Sequence, residues 1–268
     1  MKQVPSPSIQ ILVCGSLVPG SWWGRSSPNY MAPYWRLYCN DKAGLAVRFG
    51  GNTEELVPRR VYLIPPETDF TPVFRAAVRH FFVHFTAQPP FDIAVPGIYS
   101  VEDADMVRSF SAVDAFSREE SGGSAARLGA AILSLVAGAL ARLPEGVLSL
   151  RVVDERIERA LAAMRSNTKT PLTNEELAGI AHMTTNAFVR RFHEAVGESP
   201  QRYYTRKRID TACVLLHSTG KSIGQVAAET GFCDRYHFSR VFRKLRGVGP
   251  STFSRIHRAA GMGRQENY

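Results

Sequence analysis

Apolar positions along the first hundred residues come in short runs, not in helical stripes. Ile9–Val13, Tyr34–Asn40, Gly44–Phe49, Arg60–Ile64, Val78–Thr86 and Ala94–Tyr99 each read as a β run cut off by Gly or Pro. No helix-length periodicity interrupts them, so an antiparallel sandwich or barrel is predicted from residue 8 to about residue 100. The period then changes. Met106, Val107, Phe110, Val113 and Phe116 form one helical stripe, and Leu128, Ile132, Leu135, Val136, Ala139, Leu140 and Leu143 form another. The polar stretch Ser117–Ser124 is the turn between them, and Pro144-Glu145-Gly146 ends the second helix at a domain boundary.

Beyond Val152 helical signals follow one another closely. Val153, Ile157, Leu161 and Met164 stripe a first helix, and Thr173-Asn174-Glu175-Glu176 is a capping box opening a second. Thr184 stands where it can cap a third, and Ser199-Pro200 starts a fourth, with Pro where its missing N–H costs nothing. Ser222-Ile223-Gly224-Gln225 is another capping box, Asp234 caps a sixth helix and Pro250 opens a seventh. The predicted chain is therefore α+β. An antiparallel β-barrel domain occupies residues 1–120, a connecting helix 121–150, and an all-α domain of about seven helices 151–268.

A repeat lies inside the helical part. Thr184, Phe188, Arg190 and Phe192 recur fifty residues later as Asp234, Phe238, Arg240 and Phe242, each set behind a short capped helix holding Ala178 or Ala227. The Phe pairs at i and i+4 face inward and the Arg between them faces out. A short helix, a tight turn and a second helix with a basic outer face is the helix-turn-helix pattern. Gly231 serves the second turn; the first holds His182, a weaker match.

Such a helix fits the major groove of DNA, where its N-terminus offers N–H groups to phosphate and its outward side chains reach base edges. The outward set is Thr185, Asn186, Val189, Arg190 and His193 on one copy, and Arg235, Tyr236, His237, Ser239, Arg240 and Lys244 on the other. Arg can grip guanine and Asn adenine in bidentate fashion. Arg191, Arg202, Arg206, Lys207, Arg243 and Arg246 are placed to neutralise the DNA backbone, which Thr184, Thr185, Asp234 and Lys244 also meet.

Charge separates the two halves. The 268 residues carry 33 Lys and Arg against 24 Asp and Glu, but up to Leu150 the count is 13 against 13 and after it 20 against 11. All of the excess of +9 therefore sits in the helical part, the electrostatic footprint of a module that meets a polyanion. With 44% apolar and 10% aromatic residues the chain is not disordered, and its longest apolar run, Leu128–Ala141, is too short to span a membrane. Ile9–Cys14 does not read as a signal segment. The four cysteines show neither CxxC nor zinc spacing and read as reduced, buried thiols of a cytoplasmic protein.

The stretch from Ile223 to Lys244, followed by Gly249-Pro250-Ser251, closely resembles the second helix-turn-helix of AraC/XylS-type transcription regulators. Upstream, Phe188, Phe192, Gly197, Ser199-Pro200, Tyr203, Arg208, Ala212 and Leu215-Leu216 resemble the rest of that module, which spans about 152–257. The resemblance implies base-reading positions at Asn186, Val189 and Arg190, and at Arg235, Tyr236, His237, Ser239 and Arg240. Val189 stands where a polar residue is common. The resemblance also implies a rigid linker helix, about Ala212–His217, that sets both recognition helices into successive major-groove segments. For the N-terminal part it implies a cupin-like effector-binding barrel and dimerisation through the two helices after it. A homodimer, a double-stranded DNA operator, RNA polymerase and a small-molecule effector are the partners so implied.

Trp35, Tyr38, Arg48, His80 and His84 are the candidate effector-pocket residues, with Trp22 and Trp23 beside them. Arg25, Arg36 and Arg48 suit an anionic effector. His80 and His84 alternate onto one strand face, but the metal-binding cupin pattern and a third ligand are absent, so neither metal nor cofactor is predicted. No catalytic residue is assigned. The rival readings are a cupin metallo-enzyme fused to a DNA-binding module and a ligand-independent regulator whose barrel only dimerises. For the Leu128–Leu143 stripe, packing on its own domain and pairing with a second chain stand level.

Overall fold

The computed structural model describes residues 8–20, 31–88, 91, 94–116, 125–148 and 154–259, and Trp22, Trp23 and Arg25 lie outside them. The chain divides into two compact units, one within the first 150 residues and the other formed by Arg151–His257.

In the N-terminal unit the strands are β1 (Ile9–Leu17), β2 (Trp35–Asn40), β3 (Leu45–Phe49), β4 (Asn52–Glu55), β5 (Val61–Ile64), β6 (Thr71–Phe74), β7 (His80–Ala87) and β8 (Tyr99–Val101). They form two antiparallel sheets, β1-β7-β2-β5-β8 and β4-β3-β6, in place of the closed barrel predicted. The short sheet ends on strands suited to an edge: β4 is polar throughout, and β6 carries Pro72, which cannot donate to a ladder. Gly50 and Gly51, both at positive φ, close the β3–β4 hairpin as a two-residue turn. The predicted strand at 94–99 is broken by Pro96-Gly97; only an isolated bridge from Ala94 to Leu148 and the strand from Tyr99 form.

Strands β2, β5 and β7 of the long sheet are buried on both faces, and the period of two decides what lies on each. Trp35, Leu37, Phe81, Val83, Phe85, Val61 and Leu63 point to one face and pack against α1 (Ala104–Phe116) and α2 (Ala125–Leu140). Ile132, Leu135, Val136, Ala139 and Leu140 of α2 all lie in that core, Leu135 with no exposed surface. The stripe therefore packs on its own sheet. Arg36, Tyr38, His80, Phe82 and His84 alternate onto the opposite face.

The C-terminal unit is helical: α3 (Glu155–Ser166), α4 (Asn174–Ile180), α5 (Thr185–Val196), α6 (Pro200–Ser218), α7 (Ile223–Glu229), α8 (Arg235–Arg246) and α9 (Pro250–Ala259). Both capping boxes form, Thr173 with Glu176 and Ser222 with Gln225. Asp234 caps α8 by accepting from the N–H groups of Tyr236 and His237, whereas the Thr184 hydroxyl, at the N-cap of α5, makes no capping bond. The unit has two cores. Phe188, Phe192, Tyr203 and Tyr204 close one, and Ile209, Ala212, Phe238, Phe242 and Phe253 close the other. The 19-residue α6 contributes to both, so the linker helix is much longer than the six residues expected.

Candidate nucleic-acid interface

Each helix-turn-helix is built by one local device. At the end of α4, His182 N–H donates to the Gly179 carbonyl and Met183 N–H to the Ala178 carbonyl; at the end of α7, Gly231 and Phe232 donate likewise to Ala228 and Ala227. The residue at the bend takes a left-handed backbone in both, φ 53° at His182 and 73° at Gly231. His182 thus makes the same turn as Gly231, and the first copy is no weaker in geometry. The second turn is one residue longer, through the insertion of Cys233. That thiol is exposed, contrary to the expectation of buried cysteines.

Phe188 and Phe192 on α5, and Phe238 and Phe242 on α8, are wholly buried, and each pair meets at 5.6 Å between ring centroids. This anchoring fixes which residues face out. Thr184, Thr185, Asn186, Arg190 and Arg191 are exposed around the start and outer face of α5. Arg235, Tyr236, His237, Arg240, Arg243 and Lys244 are exposed on α8, Tyr236 to 71%. The Tyr236 ring stands in solvent with the Arg235 guanidinium 5.4 Å from its centroid. Val189 is turned partly inward against the first core, and Ser239 is half-buried with its hydroxyl donating to the Arg235 carbonyl at 2.9 Å. These two therefore contribute less to the outward faces than their spacing suggested.

The cations differ in how far they are already engaged. Arg190 and Arg191 approach Glu194 at 3.9 and 3.6 Å, loose exposed pairs that cost little to give up. Arg202 is 79% exposed on α6. Arg206 donates to Glu198 at 2.6 Å and is half-buried, and Lys207 stands 3.5 Å from Asp210, so both act within the protein's own framework. Arg246 is buried in a pair with Asp210. The Asp234 carboxyl is held below its usual range, first by the N–H groups of Tyr236 and His237, so it is an anion committed to its own helix.

The candidate effector residues do not converge. Tyr38, His80 and His84 share the sheet face away from α1 and α2, with Tyr38 4.6 Å from His80 and 6.1 Å from His84 between ring centroids. Trp35 lies on the helix-facing side, stacked on Phe85 and donating from its indole to the Phe91 carbonyl. Arg48 is exposed on β3. Arg36, weighed as an anion ligand, is fully buried beside the rings of Tyr34 and Phe70. Asn40 donates to the Leu56 carbonyl, which turns its amide oxygen toward His80 Nδ1 at 2.8 Å. Burial pushes the His80 pKa down to about 3, so the ring is neutral at pH 7. No group of three metal-ligating side chains occurs among the described residues. No helix among them is long and apolar enough to cross a membrane.

A family described as "Helix-turn-helix domain" matches residues 177–256. The MmsAB operon regulatory protein of Pseudomonas aeruginosa is 33% identical over 101 residues, 37% of this chain and 33% of that protein. The HTH-type transcriptional activator RhaR of Pectobacterium atrosepticum is 30% identical over 155 residues, 57% of this chain and 54% of its own. The chain thus covers about a third to a half of these relatives' length. The crystal structure of ToxT from Vibrio cholerae resembles it over 94% of this chain and 97% of that one, at 14% identity and a TM-score of 0.54, a likeness of fold.

Proposed function

From the premise that its C-terminal unit is an AraC/XylS-type double helix-turn-helix domain, we propose that this protein is a sequence-specific DNA-binding transcription regulator. The observation that carries the reading is the pair of exposed faces on α5 and α8, each locked outward by two buried phenylalanines and joined by one helix. At 1.5 Å per residue α6 is about 28 Å long, close to the roughly 34 Å between successive major-groove segments on one side of B-DNA. Asn186 and Arg190 read one segment, and Arg235, Tyr236, His237 and Arg240 the other, with a minor share for Val189 and Ser239. Thr184, Thr185, Arg191, Arg202, Arg243 and Lys244 meet the backbone. Arg206, Lys207 and Asp234 support that surface from within.

The N-terminal unit is the sensory part. A small-molecule effector binding one arrangement of that unit more tightly than another shifts which sites a homodimer occupies, and hence RNA polymerase recruitment in the cytoplasm. No catalytic step is assigned to the chain. The test is selection of bound sequences from randomised duplex DNA with the purified protein. Two enriched sub-sites about one helical turn apart are expected; enrichment of none refutes the reading.

A further inference from the structure

The two helix-turn-helix halves are joined by more than the backbone of α6. Gln201, Tyr204 and Arg208 lie at i, i+3 and i+7 and share one face of that helix. Gln201 Nε2 donates to the Leu172 carbonyl at 3.0 Å and to Asn174 Oδ1 at 3.1 Å. The Tyr204 hydroxyl donates to the Asn167 carbonyl at 2.6 Å and accepts from the Leu172 N–H at 3.4 Å. These bonds pin the segment between α3 and α4. One turn further on, Arg208 Nε donates to the Thr230 carbonyl at 2.6 Å, and its guanidinium stands 4.0 Å from the centroid of the Phe232 ring. Thr230 and Phe232 flank Gly231, the bend of the second motif. The pinned segment and the bend touch: a Cβ on Gly231 would stand 2.6 Å from the Lys169 carbonyl oxygen and 2.9 Å from Pro171 Cδ.

A chain of ion pairs along α6 ties the far ends of both recognition helices. Glu198, next after the C-cap Gly197 of α5, accepts from Arg206 at 2.6 Å. Arg206 Nη1 lies 4.0 Å from Asp210, its i+4 neighbour. Asp210 in turn pairs with Arg246, the last residue of α8, whose side chain is only 3% exposed. A pair so placed fixes geometry, because breaking it strands a buried charge.

A single helix between two cores leaves bending and twisting at the segments where it enters each core. Here both are clamped. We infer that these contacts fix the placement of one recognition helix relative to the other, and with it the number of base pairs tolerated between the two sub-sites. Tyr204, Arg208 and Asp210 are then positioning residues for DNA recognition. The inference rests on the proposed reading of two major-groove segments. Each base pair turns the duplex by about a tenth of a revolution, so a clamp admitting little rotation turns spacing into a selected property.

The full chain and its Tyr204→Phe, Arg208→Lys and Asp210→Asn variants are each used to select from randomised duplex DNA. Each is then titrated on the enriched site with one base pair inserted or removed between sub-sites. The wild type should enrich one spacing and bind the altered sites roughly tenfold or more weakly. Each variant should enrich the same sub-site bases over a spread of spacings, with the penalty reduced to a few-fold. Circular dichroism melts confirm folding; if Arg208→Lys unfolds, Tyr204→Phe, which removes one oxygen, carries the test. A single unmoved spacing with an undiminished penalty in the folded variants overturns the inference and leaves the contacts as stabilisers. A wild type that enriches no sequence overturns the DNA-binding proposal instead, and one that enriches a single sub-site overturns the reading of two major-groove segments on which the inference rests.

Discussion

At the residue scale the two turns carry opposite strains. His182 holds a left-handed backbone that a side chain adopts at a cost of about 1–2 kcal/mol, whereas Gly231 adopts it freely and has no room for a Cβ. Gly231→Ala should therefore destabilise the C-terminal unit by at least about 1–2 kcal/mol, seen as a lowered melting temperature, while His182→Gly should leave it unchanged or slightly raise it. His80 offers a second residue-level test. Its folded pKa of about 3 lies below the ordinary 6.5, so the unfolded chain binds the extra proton between those values. Stability is complete above about pH 6.5 and falls as the pH drops toward 3, by a few kcal/mol. All three tryptophans lie in the first 150 residues, so acid titration followed by their fluorescence reads that unit. The loss over this window should shrink in a His80→Gln variant. The type of residue at each site was legible from spacing, but its engagement was not. Spacing places Arg206 and Lys207 against the DNA backbone, but Glu198, brought close by the turn between α5 and α6, and Asp210, on α6 itself, stand beside them.

Among the elements, α2 and the recognition helices separate two kinds of amphipathic face. The apolar stripe of α2 is spent on its own sheet, so Leu135→Asp should unfold the N-terminal unit, costing about 3–5 kcal/mol, and not yield a folded monomer. Leu133, 41% exposed on the other side of α2, should accept Asp within about 0.5 kcal/mol. The difference is read by tryptophan fluorescence in a denaturant titration. On α5 and α8 the outward faces should behave as readers. Arg190→Ala or Arg240→Ala should cost on the order of 1–3 kcal/mol at the selected site and little on random DNA. Arg202→Ala should weaken binding to all sequences alike and lower the salt slope by about one. Equal losses on both DNAs at Arg240 would reduce it to a phosphate contact. The capped helices were legible because each cap is a local pattern within four residues. Strands β4 and β6 were not, since Asn52–Glu55 is wholly polar and Thr71–Phe74 is only four residues long with Pro72 inside it, and only pairing to β3 makes them strands.

For the whole molecule, charge and architecture divide the labour in the same way. The excess of +9 falls after Leu150, with the helical unit, so affinity for DNA as a polyanion should reside there and decline steeply with salt, a log–log slope that a binding titration measures directly. By itself the sequence determined the helix-turn-helix repeat, the caps, the inward phenylalanines and the segregation of charge. Each of these is written in residues three, four or a few positions apart, a range over which backbone geometry dictates what meets what. Tertiary structure alone decided that the β domain is two sheets, that α2 covers its own core, that Arg36 and Trp35 lie buried on opposite faces of one sheet, and that the turn at Gly231 rests against Lys169 and Pro171. Those facts depend on which distant segments pack together, and packing is chosen by the shape and area of whole faces, a quantity no local pattern records.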